Sequence, residues 1–426
     1  MTTISFARGI PAPECLAVEE LADCARVALE RDGRTILSYG SPSGYAPLRE
    51  WIAERHGVAP GRVFVTNGSL QGFVFLAQQL APGRRVLVEQ PTYDRPLKIL
   101  RELGADVVGV ACDDEGLDPD ALEQALRDGP APAFLYLIPT FQNPSGRTLP
   151  IERRHRIVEL AREHDLLVLE DDPYGLVRFD GEPLPSLFEL SGGEVAYSSS
   201  FSKTVAPGLR VGWFVFPEQL AREMEATATA TYITPVLLGQ ATVFEFVSRG
   251  SFEPNLERVN GLLGARRDAM LAALDRELPD VQTTRPDGGY FLWLDLAGVD
   301  STALLARAEE AGVTFVKGTD FGGRARHGPA RLQLRLARRD RRGRRAPRGR
   351  VAGYRVERVR PPQRSRPRAA RDGAGGEAGG CASPRGTWDK DAPVPSRRER
   401  DGGSSSRRRL ERFLGSCGSL RGASAS

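Results

Sequence analysis

The sequence predicts an α/β fold whose large domain holds a mostly parallel seven-stranded sheet covered by helices, and three observations support this prediction. Seven short runs rich in β-branched and aromatic residues occur between positions 63 and 216. Amphipathic segments with helical spacing, such as residues 151–165, lie between them. The runs are continuously apolar, which is typical of strands buried on both faces. They cover residues 63–66, 85–89, 107–111, 134–138, 166–170, 195–199 and 210–216.

Outside the sheet region, the chain divides into parts with different patterns. Residues 218–275 are mainly helical, with a break near residues 232–235. A smaller α/β unit is predicted from a strand at 289–296, a helix at 302–312 and a strand at 313–318. The predicted parts are an N-terminal arm and substrate or dimer segment (1–45), the large domain (46–254), a truncated small domain (255–323) and an Arg/Gly/Pro/Ser-rich tail (324–426).

The net charge of +4 hides a break in composition near Gly323. The residues after Gly323 carry 28 Arg and one Lys against nine acidic residues, a charge of +20, so the residues up to it carry −16. This tail is rich in Arg, Gly, Pro and Ser and shows no sustained periodicity. Such a composition buries too little apolar surface to fold, and we therefore predict that the tail is disordered.

Neither export nor membrane insertion is indicated by the sequence. The first ten residues lack a basic segment followed by an apolar one, and no apolar run reaches membrane-spanning length. The five cysteines show no C-x-x-C spacing and are typical of reduced thiols. These features predict a cytoplasmic protein, and no metal site is predicted.

Lys203 is the residue that most strongly indicates a chemical function. It stands in S-S-S-F-S-K-T-V-A-P-G-L-R (198–210), after a predicted strand. A lysine that forms an imine must lose its proton, which a partly desolvated place near other cations favours. Ser200, Ser202 and Arg210 supply the hydroxyl and guanidinium donors that suit a phosphate. A lone lysine would be a solvated surface charge, but this context favours an imine-forming lysine beside a phosphate.

Four other residues follow predicted strands, and each also has an ordinary structural explanation. Asp171, in E-D-D-P-Y (170–174), is either a helix cap or the partner of a protonated pyridine nitrogen. Asn143, in P-T-F-Q-N-P-S-G (139–146), is by itself a turn former before proline. Ser69 opens a predicted helix, where free backbone N–H groups suit a phosphate. Tyr93 is by itself an ordinary packed aromatic residue.

Taken together, five motifs occur in order, each after a predicted strand. They are N-G-S (67–69), P-T-Y (91–93), N-P-S-G (143–146), D-D-P-Y (171–174) and S-F-S-K with an Arg seven residues after the Lys (200–210). With this set the chain resembles the fold-type-I enzymes that use pyridoxal 5′-phosphate (PLP), specifically the class I/II aminotransferases. It is most similar to the branch of 2-aminoadipate and related broad-specificity transaminases and the aminotransferase half of MocR-type regulators. The resemblance runs from about Ile4 to Gly323.

The resemblance implies a role for each matching residue. Lys203 would hold PLP as an imine and then move the proton between the substrate Cα and the cofactor. Asp171 would pair with the pyridinium nitrogen, while Tyr174 and Asn143 would hydrogen-bond the phenolic oxygen. The other implied cofactor contacts are Tyr93 stacked on the ring and Ser69, the backbone of Leu70, Ser200, Ser202 and Arg210 around the phosphate.

The resemblance also implies the reaction and the partners. An amino group would move between an L-amino acid and a 2-oxo acid. Tyr39 would reach the phosphate of the neighbouring subunit, which implies a homodimer. Arg8 and Gly9 would line the substrate pocket together with Asn143, although a solvated surface position explains Arg8 equally well. A β-lyase or racemase on the same fold is the alternative, and amino transfer to 2-oxoglutarate would separate the two.

Nucleic-acid binding is not favoured by either end of the sequence. A MocR-type regulator needs a DNA-binding domain ahead of Ile4, and only three residues precede it. The basic tail could in principle bind nucleic acid or another acidic partner. It has few interleaved aromatic residues and no predicted fold, so we do not assign it that role.

The family pattern is missing after Gly323. Family members carry R-L-x-x-S-F-x-x-P-x-x-I-x-E-G, whose Arg binds the substrate carboxylate. Here R-A-R-H-G-P-A-R-L-Q-L-R-L-A-R-R-D follows, and we do not assign Arg331 to that role. Codons for Pro329 to Arg348, read one nucleotide later, can spell R-L-G-C-S-F-A-S-P-D-E-I-D-E-G-V-E-R-L. We therefore hypothesise a change of reading frame near Gly323, which would leave a protein that binds PLP but is catalytically impaired.

Overall fold

The computed structural model describes residues 4–7, 9–296 and 299–322 with their side chains, and residues 330–335 by their backbone. The described strands are β1 (Ile4–Ser5), β2 (Val63–Thr66), β3 (Arg85–Gln90), β4 (Asp106–Asp113), β5 (Gly116–Leu117), β6 (Leu135–Leu137), β7 (Val168–Asp171), β8 (Ala196–Ser200), β9 (Gly212–Val215), β10 (Gln282–Thr283), β11 (Phe291–Leu296), β12 (Val313–Thr314), β13 (Val316–Lys317) and β14 (Ala330–Arg335). The described α-helices are α1 (Val18–Ile36), α2 (Ala46–His56), α3 (Ser69–Leu80), α4 (Asp94–Glu102), α5 (Pro119–Arg127), α6 (Ile151–Glu163), α7 (Leu187–Leu190), α8 (Glu218–Thr231), α9 (Leu237–Ser248), α10 (Phe252–Glu277) and α11 (Ser301–Glu310).

The central sheet has eight strands in the order β2-β9-β8-β7-β6-β3-β4-β5. From β8 through β7, β6 and β3 to β4 the neighbours run parallel, whereas β9 is antiparallel to both β2 and β8. All seven predicted strands are present, and the prediction of a mostly parallel sheet is confirmed. The eighth strand, β5, is a two-residue antiparallel extension of β4 that no apolar run indicated.

Consecutive residues of one strand pack into different hydrophobic clusters, so the sheet is covered on both faces. Phe64 belongs to the cluster formed with α3, α8 and α10, while its neighbour Val65 packs with α1, α2 and α9. In the same way Val86 joins the first cluster, while Leu87 packs with α5 and α6. A strand with an apolar environment on both sides needs continuous apolar residues, which explains the pattern in the sequence.

The remaining described strands form two smaller sheets. Four strands take the order β10-β11-β14-β13, and β1 pairs in parallel with β12. The single strand predicted at 313–318 is therefore two short strands in different sheets, separated at Phe315, whose side chain is buried. Helix α10 crosses the predicted domain boundary between residues 254 and 255, and the domain assignment stays a prediction.

The range predicted as a tail contains one described strand, β14. It pairs with β11 in antiparallel register, with Ala330 opposite Leu296 and Arg335 opposite Phe291. The sequence A-R-L-Q-L-R alternates polar and apolar residues, a period of two that suits a strand and that composition alone does not reveal. The rest of the tail prediction lies outside the described residues.

The described residues provide neither a membrane-spanning helix nor a cluster of metal ligands. None of the helices found there is both long enough and apolar enough to cross a membrane. The same part of the chain contains no group of three or more His, Cys, Asp or Glu side chains arranged to hold a metal ion.

Candidate active site

The polar residues singled out in the sequence converge on one edge of the central sheet. Strands β3, β6, β7 and β8 are parallel, so their carboxyl ends lie at the same edge. Strand β2 is antiparallel to β9, which is itself antiparallel to β8, and the end of β2 therefore also reaches this edge. Asp171 ends one of these five strands, and the segments after the other four carry Ser69, Tyr93, Asn143 and Lys203. Ligands of open α/β sheets bind at this place.

Lys203 lies three residues after β8, and its side chain is surrounded by aromatic rings. Its Nζ is 5.8 Å from the ring centre of Tyr174 and 5.6 Å from that of Tyr290. Nζ also donates a hydrogen bond to the carbonyl oxygen of Gly9. The Tyr290 hydroxyl donates to the Lys203 carbonyl at 2.9 Å, which fixes the backbone of the same residue. The amine is thus held in a defined place against the N-terminal segment.

Asp171 is the last residue of β7, and its side chain is buried, with 9% of the residue exposed. The Tyr136 hydroxyl donates to Oδ2 at 2.7 Å, whereas Oδ1 has no hydrogen-bond partner among the described residues. Burial raises the pKa of Asp171 to about 6, with a contribution from the charge of Asp172, while hydrogen bonds from Tyr136 and Ser198 and the charge of Lys203 oppose the rise. No helix begins at this residue, so the helix-cap explanation is wrong. The carboxylate is instead placed to accept a cationic partner.

Asn143 and Tyr174 form a buried pair beside Lys203. The exposed fraction is 5% for Asn143 and 4% for Tyr174. The Asn143 side chain makes a hydrogen bond to the Tyr174 hydroxyl, and this bond opposes the rise in the pKa of Tyr174 that burial causes. The Tyr174 ring packs edge-on against Phe291, with ring centres 5.5 Å apart. Asn143 is therefore more than a turn former, because its amide faces the interior of the site.

Tyr93 lies at the wall of the cavity that leads to Asp171. The cavity is also lined by Ser69, Leu70 and Tyr136. Burial raises the pKa of Tyr93 to about 12, so its hydroxyl is uncharged at neutral pH. A flat, uncharged ring at this position is suited to stack on a second ring.

The start of α3 and the guanidinium of Arg210 form a cradle for an anion. Helix α3 begins at Ser69, and its first backbone N–H groups have no partner within the helix. Gly68 has a φ of 86°, and a Cβ at this residue would lie 2.1 Å from Nη2 of Arg210. A Cβ at Gly212 would lie 2.1 Å from the Ser69 nitrogen. Only glycine allows the helix start, the strand β9 and the guanidinium to approach this closely.

Ser200 and Ser202 lie next to each other in the segment that carries Lys203. Their Oγ atoms are 2.8 Å apart, and the Ser202 N–H donates to Ser200 Oγ at 3.0 Å. Ser200 also hydrogen-bonds the carbonyl oxygen of Val211 at 3.1 Å, and its side chain is buried. The hydrogen bonds of Ser200 thus orient the segment that carries Lys203. Ser202, in the same segment, is only partly buried. Phosphate contacts by these two hydroxyls stay a prediction.

Two predicted residues, Tyr39 and Arg8, are not placed in this constellation. Tyr39 is 79% exposed and lies on the surface of its own chain. Arg8 lies outside the described residues, and so does the side chain of Arg331. Gly9 does lie at the site, where it contacts Lys203 through its carbonyl oxygen.

Sequence reasoning missed two residues that shape the site. Tyr136 donates to Asp171, and Tyr290 contacts Lys203 through both its ring and its hydroxyl. Tyr136 is hidden in the apolar run F-L-Y-L-I, where a tyrosine is expected to be core. Tyr290 follows two glycines directly before β11. This Gly-Gly pair was the one feature of the sequence that could have drawn attention to Tyr290 as a site residue.

The residues present fit PLP. An anion cradle lies at the start of α3, the buried Asp171 has an oxygen without a hydrogen bond for a pyridinium N–H, and an amine stands at Lys203. The Asn143–Tyr174 pair supplies hydrogen bonding for a phenolic oxygen, and Tyr93 offers a ring face. Phosphate, ring nitrogen, phenolic oxygen and aldehyde are the four polar groups of PLP, and each has a counterpart here.

Comparisons with known proteins agree with this fit. The family model described as aminotransferase class I and II matches residues 11–341. A 2-aminoadipate transaminase from Thermus thermophilus is 42% identical over 80% of this chain and 87% of that protein. An aromatic-amino-acid aminotransferase from Thermococcus litoralis is 35% identical over 75% of this chain and 80% of that protein. The crystal structure of the α-aminoadipate aminotransferase from T. thermophilus, complexed with N-(5′-phosphopyridoxyl)-L-leucine, superposes with a TM-score of 0.74 at 39% identity, over 79% of this chain and 87% of that one.

Fold and site together define a PLP-dependent enzyme of fold type I. The reaction is transamination, in which an amino group passes between an amino acid and a 2-oxo acid. The chain belongs to the aminotransferase class I and II family.

We expect Arg210→Ala to weaken PLP binding about 10- to 100-fold. A hydrogen bond to a charged group contributes about 1.5–3 kcal/mol, and the cradle would lose its guanidinium. Titration of the purified apoprotein with PLP, followed by intrinsic fluorescence, measures the change. Arg84→Ala is the matched control, because Arg84 is an exposed arginine outside the site. Equal PLP affinity of the two variants would contradict the cradle.

We expect PLP binding to weaken as the pH falls through about 6. The ionised form of Asp171 pairs with a protonated ring, and its pKa in the free protein is about 6. Tyr136→Phe removes a donor that favours the ionised carboxylate, so the pKa rises and the midpoint should move up by about one pH unit. The measurement is the PLP dissociation constant across pH 5–8. Tyr45→Phe, which removes a hydroxyl bonded to Asp32, is the control and should leave the midpoint unchanged.

Proposed function

We propose that this chain performs transamination with Lys203 as the proton-transferring amine and Asp171 as the residue that keeps the cofactor ring protonated. The observation that carries the proposal is the position of these two residues. Lys203 Nζ stands at the end of β8, and Asp171 stands at the end of the adjacent strand β7, close enough for the lysine charge to lower the carboxyl pKa. An amine and a ring-protonating acid on neighbouring strand ends suit proton transfer at a carbon bound to the cofactor.

When bound, PLP supplies an electron-accepting ring that carries the amino group between two substrates. The residues of the chain hold it and move protons. Asp171 keeps a proton on the ring nitrogen, and Asn143 and Tyr174 orient the phenolic oxygen. The Lys203 amine would take a proton from the substrate Cα and return it at the cofactor carbon. The rings of Tyr174 and Tyr290 limit the positions that the amine can take.

The N-terminal segment forms the substrate side of this arrangement. Gly9 contacts Lys203, and a Cβ at this residue would lie 2.7 Å from Cζ of Phe291. Glycine therefore lets the segment lie close over the amine, and the substrate has to replace the contact between Lys203 and the Gly9 carbonyl. We place Gly9, Asn143 and the adjacent Arg8 on the substrate side.

We propose L-amino acids with acidic or aromatic side chains as amino donors and 2-oxo acids as acceptors. The support comes from the names of two relatives, one a 2-aminoadipate transaminase and the other an aromatic-amino-acid aminotransferase. Arg8 is a cation that could pair with an acidic side chain. A substrate screen over both side-chain classes tests the assignment.

We propose a homodimer in which Tyr39 serves the partner's site. Tyr39 and three other large apolar side chains (Leu37, Ile233 and Val236) are all more than half exposed. The Gly40 N–H donates to Thr234 Oγ1 at 3.3 Å, which joins the two segments that carry this patch. The Val236 N–H donates to Asn67 Oδ1, so the patch adjoins the cradle at the start of α3. An exposed apolar surface of this kind is typical of an interface.

We place the reaction in the cytoplasm. The described cysteines, Cys15, Cys24 and Cys112, are all free thiols. Burial raises the pKa of Cys112 above its ordinary range, so it stays a thiol at neutral pH. Unpaired thiols suit a reducing compartment.

We expect Lys203→Ala to abolish covalent attachment of PLP and amino transfer. Borohydride reduction followed by peptide mass spectrometry should find the pyridoxyl group on residue 203 of the unchanged protein. Amino transfer from a donor to 2-oxoglutarate should fall by at least about 1,000-fold in the variant, because no other described amine occupies the position. Lys98→Ala, at an exposed lysine on α4, is the control.

Two results would redirect the proposal. A PLP-loaded protein that eliminates or racemises amino acids without transfer to 2-oxoglutarate would be a β-lyase or racemase. A protein that is labelled at Lys203 and transfers slowly would be the impaired form expected from the missing C-terminal pattern. Absence of any label on residue 203 would refute the role of this lysine.

We expect Ile233→Glu to shift the protein from dimer to monomer. A charge in the centre of an apolar interface is costly to bury, and this residue is 54% exposed in the single chain. Sedimentation velocity across a range of concentrations measures the shift. Leu184→Glu, a charge placed at another exposed apolar residue, is the matched control and should leave the assembly intact. A monomeric unchanged protein would remove the basis for the role of Tyr39.

A further inference from the structure

Gln142 precedes Asn143 and is bonded to three different parts of the site region. Its Nε2 donates to the carbonyl oxygen of Pro91 at 2.7 Å and to Oε2 of Glu89 at 3.3 Å. Its Oε1 accepts hydrogen bonds from the backbone N–H of Ser145 at 2.9 Å and from Ser145 Oγ at 2.6 Å. The side chain is 4% exposed. One buried amide therefore uses its donor and acceptor sides to join the segment after β3 to the loop that carries Asn143.

Glu89 completes this connection from the end of β3. Its Oε2 accepts from the Ile138 N–H at 2.9 Å as well as from Gln142, and the residue is 1% exposed. Burial raises the pKa of Glu89 to about 8, with a further contribution from Asp171, so the carboxyl group is mostly protonated at neutral pH. A neutral carboxyl group can accept hydrogen bonds in a buried place at a small desolvation free energy, because no charge is removed from water. The ends of β3 and β6 are thus held together at the site.

The loop that follows β6 needs such a restraint, because its backbone departs from relaxed geometry. Phe141 has a φ of 50°, a left-handed conformation that non-glycine residues rarely adopt. Its ring is held in place on the other side, where the Arg178 guanidinium lies 4.7 Å from the ring centre and Gly288 leaves room for it. Residues 139–146 are all buried. Asn143 is thus presented by a strained, fully packed loop that is fixed from two sides.

We propose that Gln142 and Glu89 form a positioning pair that holds the Asn143 amide against Tyr174 and thereby orients the cofactor's phenolic oxygen. The inference rests on the proposed function, since it assigns Asn143 to that oxygen. Neither side chain is assigned a contact with the cofactor or the substrate, so both are positioning residues and not catalytic ones. Their effect passes through the backbone of residues 142 and 143.

The first test is a double-mutant cycle with Gln142→Ala, Asn143→Ala and the double variant. If Gln142 acts through Asn143, the double variant should be within about 2-fold of Asn143→Ala in kcat/KM, because the contact that Gln142 supports is already lost. Gln142→Ala alone should lower kcat about 10-fold and change KM by less than about 3-fold. Multiplicative losses in the double variant would refute the coupling.

A second readout does not depend on turnover. The visible absorbance of PLP bound to Lys203 changes with pH, and its midpoint reports the environment of the phenolic oxygen. Gln142→Ala should move this midpoint in the same direction as Asn143→Ala and by a smaller amount. A merely structural role in folding would lower the melting temperature without moving the midpoint, and that result would overturn the proposal.

Glu89 offers a conservative variant in case Gln142→Ala does not fold. Glu89→Gln keeps an oxygen that can accept from the Ile138 N–H, whereas Glu89→Ala removes it. We expect Glu89→Gln to retain at least about half of the kcat of the unchanged protein and Glu89→Ala to lower kcat about 10-fold. The midpoint of the absorbance change should also shift less in Glu89→Gln than in Glu89→Ala. Equal effects of the two substitutions on kcat and midpoint would refute the positioning role of Glu89.

The controls separate this inference from the proposed function. Gln124→Ala removes an exposed glutamine that bonds only Asp128 among the described residues, and it should match the unchanged protein in kcat and midpoint. If borohydride fails to label Lys203 in the unchanged protein, the proposed function fails. If the label is present and Gln142→Ala behaves like Gln124→Ala, the positioning pair alone is refuted.

Discussion

The site depends on a carboxylate that is buried at the end of a parallel strand. Asp171 is 9% exposed, and one of its oxygens has no hydrogen-bond partner among the described residues. An ionised carboxylate in such a place is unfavourable unless a cation faces it. The protonated ring nitrogen of PLP would satisfy this requirement. Arg210 would then hold the phosphate, and Lys203 would supply the amine for the aldehyde carbon.

The parallel sheet lowers the conformational entropy that is lost when these distant residues are brought together. Ser69 and Arg210 are 141 positions apart in the sequence, yet both lie next to the same sheet edge because β2 and β9 are hydrogen-bonded neighbours. Apolar packing on both faces stabilises the sheet. Because the sheet already fixes the backbone at the strand ends, bringing the polar residues there together costs little additional conformational entropy. Glycine at 68 and 212 permits the last close approach between helix start, strand and guanidinium.

Unfavourable backbone geometry occurs in two of the segments that form the candidate site. Arg210 and Phe141 are two of the four described non-glycine residues with positive φ, and each lies in a loop assigned to the site. Strain of this kind persists only when surrounding contacts hold it. Hydrogen bonds of buried polar groups supply those contacts, including one from the Ser145 N–H to Gln142 Oε1 and one from Ser200 Oγ to the Val211 carbonyl oxygen.

The sequence by itself determined the order of strands and helices, the polar residue after each strand and hence the family. These features are local, because strand burial and helix amphipathicity repeat along a short stretch of chain. The tertiary structure decided which explanation holds for Asp171, since only the Tyr136 contact and the absence of a helix start rule out a cap. It alone revealed Tyr290 beside Lys203 and Glu89 beside Gln142, because each pair is more than fifty positions apart in the sequence. A contact between distant positions leaves no periodic trace in a single sequence, so it appears only once the sheet has brought its strand ends together.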